Sequence, residues 1–205
     1  MRWGRAADVV LAAFWGLLAY LLAYRNLFEW AGGHNLLQLQ LFTLNTLIAA
    51  LFIFRRRSRA TSERPLDWVA TVGAILLSFS LHFPPASPPG PLAILVSQVV
   101  QGLALVGIIA AVASLGRSFG LVPADRGLQR RGLYRLVRHP MYASEMLFYL
   151  GFLAGNPSRL NVLKVLGIAA GLTFRARVEE ELLCRTSAYE DYRRQVPHRV
   201  IPFLF

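Results

Sequence analysis

Six apolar stretches separated by short polar segments set the pattern of this chain. They run from about Ala6 to Tyr24, Leu36 to Phe54, Trp68 to Phe83, Leu92 to Leu115, Met141 to Leu153 and Leu160 to Phe174. A spanning helix needs roughly 20 apolar residues, with about 17 as a lower limit. The fifth stretch is short by that measure and spans only if its ends extend it or the bilayer thins there. The pattern predicts an all-α, polytopic membrane helical bundle of about six spans. It comprises an N-terminal four-span region (1–115) and a C-terminal region (116–205), integrated into one bundle.

The polar segments carry an orientation signal. With six spans both ends lie on one side, which receives Arg2, Arg5, the run Arg55–Arg59, Arg64, the arginines from Arg117 to Arg138 and those from Arg175 onward. The other side receives only Arg25, Arg159 and Lys164 of the 22 basic residues. That asymmetry predicts cytoplasmic termini. A cleaved leader is the weaker reading of the first stretch, because no small-residue cleavage site follows it and more spans come after. Trp3, Trp30 and Trp68 fall near span ends as an aromatic belt would, and the proline-rich loop His82–Pro91 stops the helices flanking it.

Composition agrees with a membrane protein: 55% of residues are apolar and the mean hydropathy is +0.45. The formal net charge is +11, but the arginines cluster at span ends instead of forming a continuous basic face. This argues for orientation and anionic headgroups and against a nucleic-acid partner. Cys184 is the single cysteine, so no intramolecular disulfide can form. The four histidines lack paired spacing, so no metal site is expected. Phosphate-binding glycine loops and a nucleophile elbow are absent.

The last two stretches read as a tight helical hairpin. Gly155–Ser158 (GNPS) forms the turn, and G-x-x-x-G pairs at Gly151/Gly155 and Gly167/Gly171 permit close helix approach. Beyond Phe174 the chain is charged and helix-prone, a continuation of the sixth helix followed by an amphipathic helix on the cytoplasmic surface. A hairpin brings its own ends together. It therefore unites two polar constellations: the approach from Arg126 to Glu145, and Arg175 with Glu179 and Glu180. Cations for a carboxylate, carboxylates for an ammonium or a ribose diol, and Tyr134 and Tyr142 for stacking suit a zwitterionic ligand. Ionisable groups at membrane depth are functional candidates by default.

The string RGLYRLVRHPMY, a helix, GNPS, a second helix, then EE-x-LL, Y-x-x-Y and VPHRVIP resembles the isoprenylcysteine carboxyl methyltransferase family, which is close to the membrane phospholipid methyltransferases. The resemblance covers about Leu115 to Phe205. It implies a helical membrane bundle that binds S-adenosyl-L-methionine at the cytoplasmic face and takes a lipophilic or lipidated acceptor from the bilayer. Carried over, it places Arg126, Gly127, Leu128 and Gln129 over the cofactor and Tyr134, His139, Pro140, Met141 and Tyr142 around it. Glu179 would bind the cofactor, and the two constellations add Arg138 and Glu180 to that set. Arg175, one turn before Glu179, would orient the acceptor. Cys184–Ala188 (CRTSA) departs from the phenylalanine-glycine pair frequent in eukaryotic members, which leaves the acceptor open: an isoprenylcysteine-like carboxylate, another small lipophilic acid, a thiol or an amine. Two other readings stand beside this one. His139–Glu145 (HPMYASE) and the ending IPFLF resemble NADPH-dependent membrane sterol reductases. A scaffold or transporter would use Gln38, Asn45, Gln98 and Gln101 as a polar path.

Overall fold

The computed structural model describes residues 5–28, 43, 46–51, 53–54, 60–61, 64–79, 89–118, 124–125, 128–184 and 187–200. Its helices are α1 (Arg5–Phe28), α2 (Pro65–Phe79), α3 (Pro91–Leu115), α4 (Pro140–Gly155), α5 (Arg159–Leu183) and α6 (Ser187–Gln195), with further helical residues at 46–51. Short 3₁₀ turns occupy Gly116–Ser118 and Gly132–Arg135. The all-α expectation holds but for two strands of two residues each. Ala60–Thr61 (β1) pairs antiparallel with Ala124–Asp125 (β2), so the loop before α2 is tied to the one before the RHP segment.

Local chemistry sets the helix boundaries. Pro91 and Pro140 each start a helix at a position where the missing N–H costs nothing. The Ser158 side chain caps α5 by accepting from the Asn161 backbone N–H at 3.1 Å, and the Asn161 side chain donates back to Asn156 O at 2.9 Å, closing the turn. Inside the apolar helices, hydroxyls return to the carbonyl one turn earlier: Thr71 to Asp67, Ser78 to Ala74, Ser114 to Ala110 and Thr173 to Ala169. A polar group in an apolar medium needs such a partner.

Among the described residues, α3 alone is both long and apolar enough to cross a membrane. Its 25 residues reach roughly 37 Å at the α-helical rise. Helices α2 and α4, at 15 and 16 residues, are shorter than a conventional span. The final turns of α5 carry Arg175, Arg177 and Glu179–Glu181, which take it beyond its apolar part. Residues 36–42, 44–45 and 52 of the second predicted stretch, Trp3, Trp30 and most of the proline-rich loop lie outside the described residues.

The packing corrects one expectation. The two glycine pairs do not join α4 to α5. Gly151 and Gly155 face α3: a Cβ on Gly151 would stand 3.0 Å from the Gln101 backbone nitrogen, and one on Gly155 would stand 2.6 Å from Ser97 Oγ. Gly107 on α3 reciprocates against Ser144 of α4. Gly167 and Gly171 face α2, where a Cβ on Gly171 would meet Ala74 Cβ at 2.9 Å. The bundle's closest packing is therefore α3 on α4 and α2 on α5, while α4 and α5 touch more lightly. A G-x-x-x-G spacing marks a flat helix face, and the face does not name its partner. Between these helices lies the core, including Ile108, Ala111, Val112, Met141, Tyr142, Ile168, Leu172 and Ala176. A second, smaller cluster of Tyr189, Tyr192 and Val196 packs on Leu128 and Leu183.

Candidate functional site

The site forms where α4 begins and the apolar part of α5 ends. Pro140 starts α4, which leaves His139 as its N-cap, and the chain's last described residues run alongside. The His198 carbonyl accepts from Arg138 N–H at 3.0 Å and the Arg199 carbonyl from His139 N–H at 2.8 Å. Arg138 is buried and donates Nε–H to Glu180 Oε1 at 2.8 Å. Its Nη1 donates to the carbonyls of Val196 and Pro197 at 2.9 and 2.7 Å. Arg199 donates Nε–H to the other Glu180 oxygen at 2.9 Å, and His139 Nε2 lies 3.3 Å from Glu180 Oε1.

Glu180 is thus held on both oxygens. Burial alone would push its carboxyl up, but hydrogen bonds from His139 and Arg138 and their charges hold it at about 2. An ionised carboxylate only accepts, so the His139 proton toward Glu180 sits on Nε2. Glu180, expected among the cofactor-binding residues, does not line the pocket. It ties Arg138 and His139 to the C-terminal segment.

Glu179, one residue earlier, turns the other way. Its Oε1 accepts from the Tyr142 hydroxyl at 2.6 Å and from Arg175 Nε–H at 3.2 Å. Its Oε2 is 3.9 Å from His139 Nδ1. The rings of His139 and Tyr142 stack with centroids 5.4 Å apart and planes 8° off parallel, and the Arg175 guanidinium lies 5.2 Å from the Tyr142 centroid. Successive helix positions point about 100° apart, which is why two neighbouring glutamates serve different partners.

A pocket opens on the Glu179 side. Tyr134, His139, Met141, Tyr142 and Glu179 line it together with Arg138, Leu128 and Gln129, and Gln129 donates to Ser118 Oγ at 3.0 Å. Of the residues expected around a ligand, Arg126 and Gly127 lie outside the described residues. Pro140 and Arg175 stand behind the wall and do not line it. The structure adds Leu115, Ser118, Leu183, Tyr189 and Tyr192. The two tyrosines were legible as the Y-x-x-Y spacing, which puts both on one face of α6. The Tyr192 hydroxyl donates to the Tyr134 carbonyl at 2.7 Å, and the Arg130 guanidinium sits 5.9 Å from the Tyr192 ring centroid. Arg130 also donates to the Ala188 carbonyl. The Tyr189 hydroxyl is buried and, among the described residues, has no partner at hydrogen-bond distance. Burial first, and the Glu179 charge second, hold the Tyr134 hydroxyl well above its usual range, so it stays a neutral phenol.

Residues 90–190 match the model of the phospholipid methyltransferase family. The matched stretch takes in all of α3, α4 and α5 and reaches into α6, which covers every described residue of the pocket wall except Tyr192. No curated protein matches the chain. The shared stretch, the RHP corner and the apolar span α3 agree on one assignment: residues 90–190 belong to the phospholipid methyltransferase family, the membrane methyltransferases that include the isoprenylcysteine carboxyl methyltransferases.

Proposed function

We propose that this chain is an integral membrane methyltransferase that uses S-adenosyl-L-methionine to methylate a lipophilic acceptor entering from the bilayer. The observation that carries the reading is the position of Glu179, on one pocket wall with the Tyr142 hydroxyl at 2.6 Å and His139 Nδ1 at 3.9 Å, while Arg175 adjoins it one turn deeper.

The pocket's chemistry fits the cofactor. A carboxylate is available for an ammonium or a ribose diol, and stacked aromatic faces are available for a sulfonium or a base. The Tyr189 side chain on the pocket wall offers a further polar contact. Leu128, Gln129, Tyr134, His139, Met141, Tyr142 and Glu179 would hold the cofactor. Arg126 and Gly127 join them by family resemblance. Arg138, Pro140 and Glu180 frame the wall. When bound, S-adenosyl-L-methionine supplies a methyl group already activated by its sulfonium.

The protein's own work is placement and exclusion of water. Glu179 fixes one end of the cofactor site and orients Arg175, which holds the acceptor head group. Leu115, Met141 and Leu183 give the pocket apolar walls. The arginine distribution supports six spans with both termini and the site on the cytoplasmic face.

Calorimetric titration of the purified protein in detergent with S-adenosylhomocysteine and with NADPH tests this. Binding of the first alone is expected. Binding of NADPH alone selects the reductase reading, and binding of neither favours a scaffold or transporter. Arg175→Ala should leave S-adenosylhomocysteine affinity intact and lower turnover.

A further inference from the structure

The arginines around the pocket divide into those that are consumed and those that are not. Arg138 is spent on Glu180 and two backbone carbonyls, and Arg130 on the Ala188 carbonyl and the Tyr192 ring. Arg131 and Arg135 bracket the 3₁₀ turn Gly132–Arg135. Both are exposed and, among the described residues, their guanidiniums make no hydrogen bond or ion pair. Leu136 beside them is 64% exposed. The inner side of the turn explains why these three face outward: Tyr134, Val137 and Arg138 are buried, and Leu133 packs on the bundle core. The level of the turn is set by α3. Gly132, at φ 59°, sits so close to the last turn of that helix that a Cβ there would collide with the Ser114 hydroxyl. Shortly beyond Leu136, Pro140 begins α4. The turn therefore lies where α3 leaves the apolar layer and α4 enters it, which is the depth of lipid head groups.

We propose that Arg131, Arg135 and Leu136 form a docking surface for an anionic phospholipid, with the two guanidiniums on its head-group phosphate and Leu136 among its acyl chains. The inference rests on the placement of α3, α4 and the site in the membrane given under the proposed function. Charge complementarity selects the occupant. A zwitterionic head group brings an ammonium along with its phosphate, and two uncompensated arginines repel that ammonium. An anionic head group brings negative charge alone, and guanidinium forks match its phosphate oxygens. Leu136 separates a lipid from a soluble phosphate group. Only the lipid takes the leucine out of water. The bound lipid has a consequence for the pocket. Tyr134, on the inner side of the same turn, lines the pocket, and its carbonyl accepts from Tyr192. A head group held on the outer side fixes the depth at which the pocket opens, and with it the depth at which a lipophilic acceptor must present its reactive end.

The test uses the full chain in nanodiscs, with spin-labelled phosphatidylglycerol and spin-labelled phosphatidylcholine as probes. The readout is the motionally restricted fraction of each label by electron paramagnetic resonance, which needs no turnover. The wild type should prefer phosphatidylglycerol on the order of 10-fold, and the preference should shrink as salt rises. Replacing both arginines, Arg131→Gln with Arg135→Gln, should abolish most of it, and Leu136→Ser should weaken it. Arg177→Gln removes a like charge from an exposed position on α5 and should leave the preference intact. Equal restriction of the two lipids by the wild type overturns the proposal, and that measurement needs no variant. Equal loss in Arg177→Gln and Arg135→Gln also overturns it, because net charge alone then attracts the lipid. So does loss of the preference when inorganic phosphate replaces chloride at matched ionic strength, which would give the arginines a soluble ligand. S-adenosylhomocysteine binding in the same nanodiscs keeps the two readings apart. A wild type that prefers phosphatidylglycerol but binds no S-adenosylhomocysteine overturns the donor site and leaves the lipid surface standing.

Discussion

Two regions meet across one peptide bond of α5, and they are built for different ends. On the Glu180 side every charge is consumed: two arginines and a histidine converge on one carboxylate, and backbone pairing with residues 198 and 199 seals the arrangement. On the Glu179 side the contacts are fewer. The carboxylate borders a pocket, an arginine lies behind it, and aromatic faces remain available. The contrast teaches that a buried ion network and a ligand site are told apart by completeness of pairing, not by charge content.

Replacing Glu180 breaks that contrast most severely. Glu180→Ala strands Arg138 without its anion, a loss of about 3–5 kcal/mol for a disrupted buried pair, read as a large fall in the thermal unfolding midpoint. Glu179→Ala should do the opposite. It is expected to weaken S-adenosylhomocysteine binding by about 10- to 100-fold by calorimetry, the worth of one or two charge-assisted hydrogen bonds, with a smaller change in unfolding temperature. Normal cofactor affinity in that variant would remove Glu179 from the donor site. Gly151→Leu, remote from both glutamates, should cost about 1–3 kcal/mol by forcing α3 and α4 apart. Tyr192→Phe should cost about 1 kcal/mol by leaving the Tyr134 carbonyl without its donor.

Acid sharpens the same comparison. The Glu180 carboxyl is held at about 2 against an ordinary value of 4.5. Its folded-state affinity for protons is lowered, so its contribution is fully present above 4.5 and is lost as pH falls toward 2. Unfolding midpoints measured across that window should fall in the wild type and fall less in Glu180→Gln.

Much of this architecture could be read before any coordinates existed, because the signals were local. Pro140 and Ser158 declare where α4 and α5 begin, and continuous apolar runs declare their length. Arg175 and Glu179, four apart, had to share a face. The hairpin made proximity of His139 and Glu179 a matter of topology. What stayed hidden depends on non-local choices. Gly151 says that some backbone comes near and is silent on whether it belongs to α3 or α5. Glu179 and Glu180 are chemically identical in the sequence, and only the rotation of α5 against the RHP corner assigns one to the pocket and the other to Arg138 and Arg199. The bridge of Ala60–Thr61 with Ala124–Asp125 is too short to carry any alternation.

The pairing of residues 138 and 139 with 198 and 199 orders events in time. A ribosome releases residues 198 and 199 some sixty positions after the corner they steady. Until they emerge, the growing polypeptide holds His139 by one side only. Synthesis of α3 and α4 therefore precedes completion of the corner that borders the pocket.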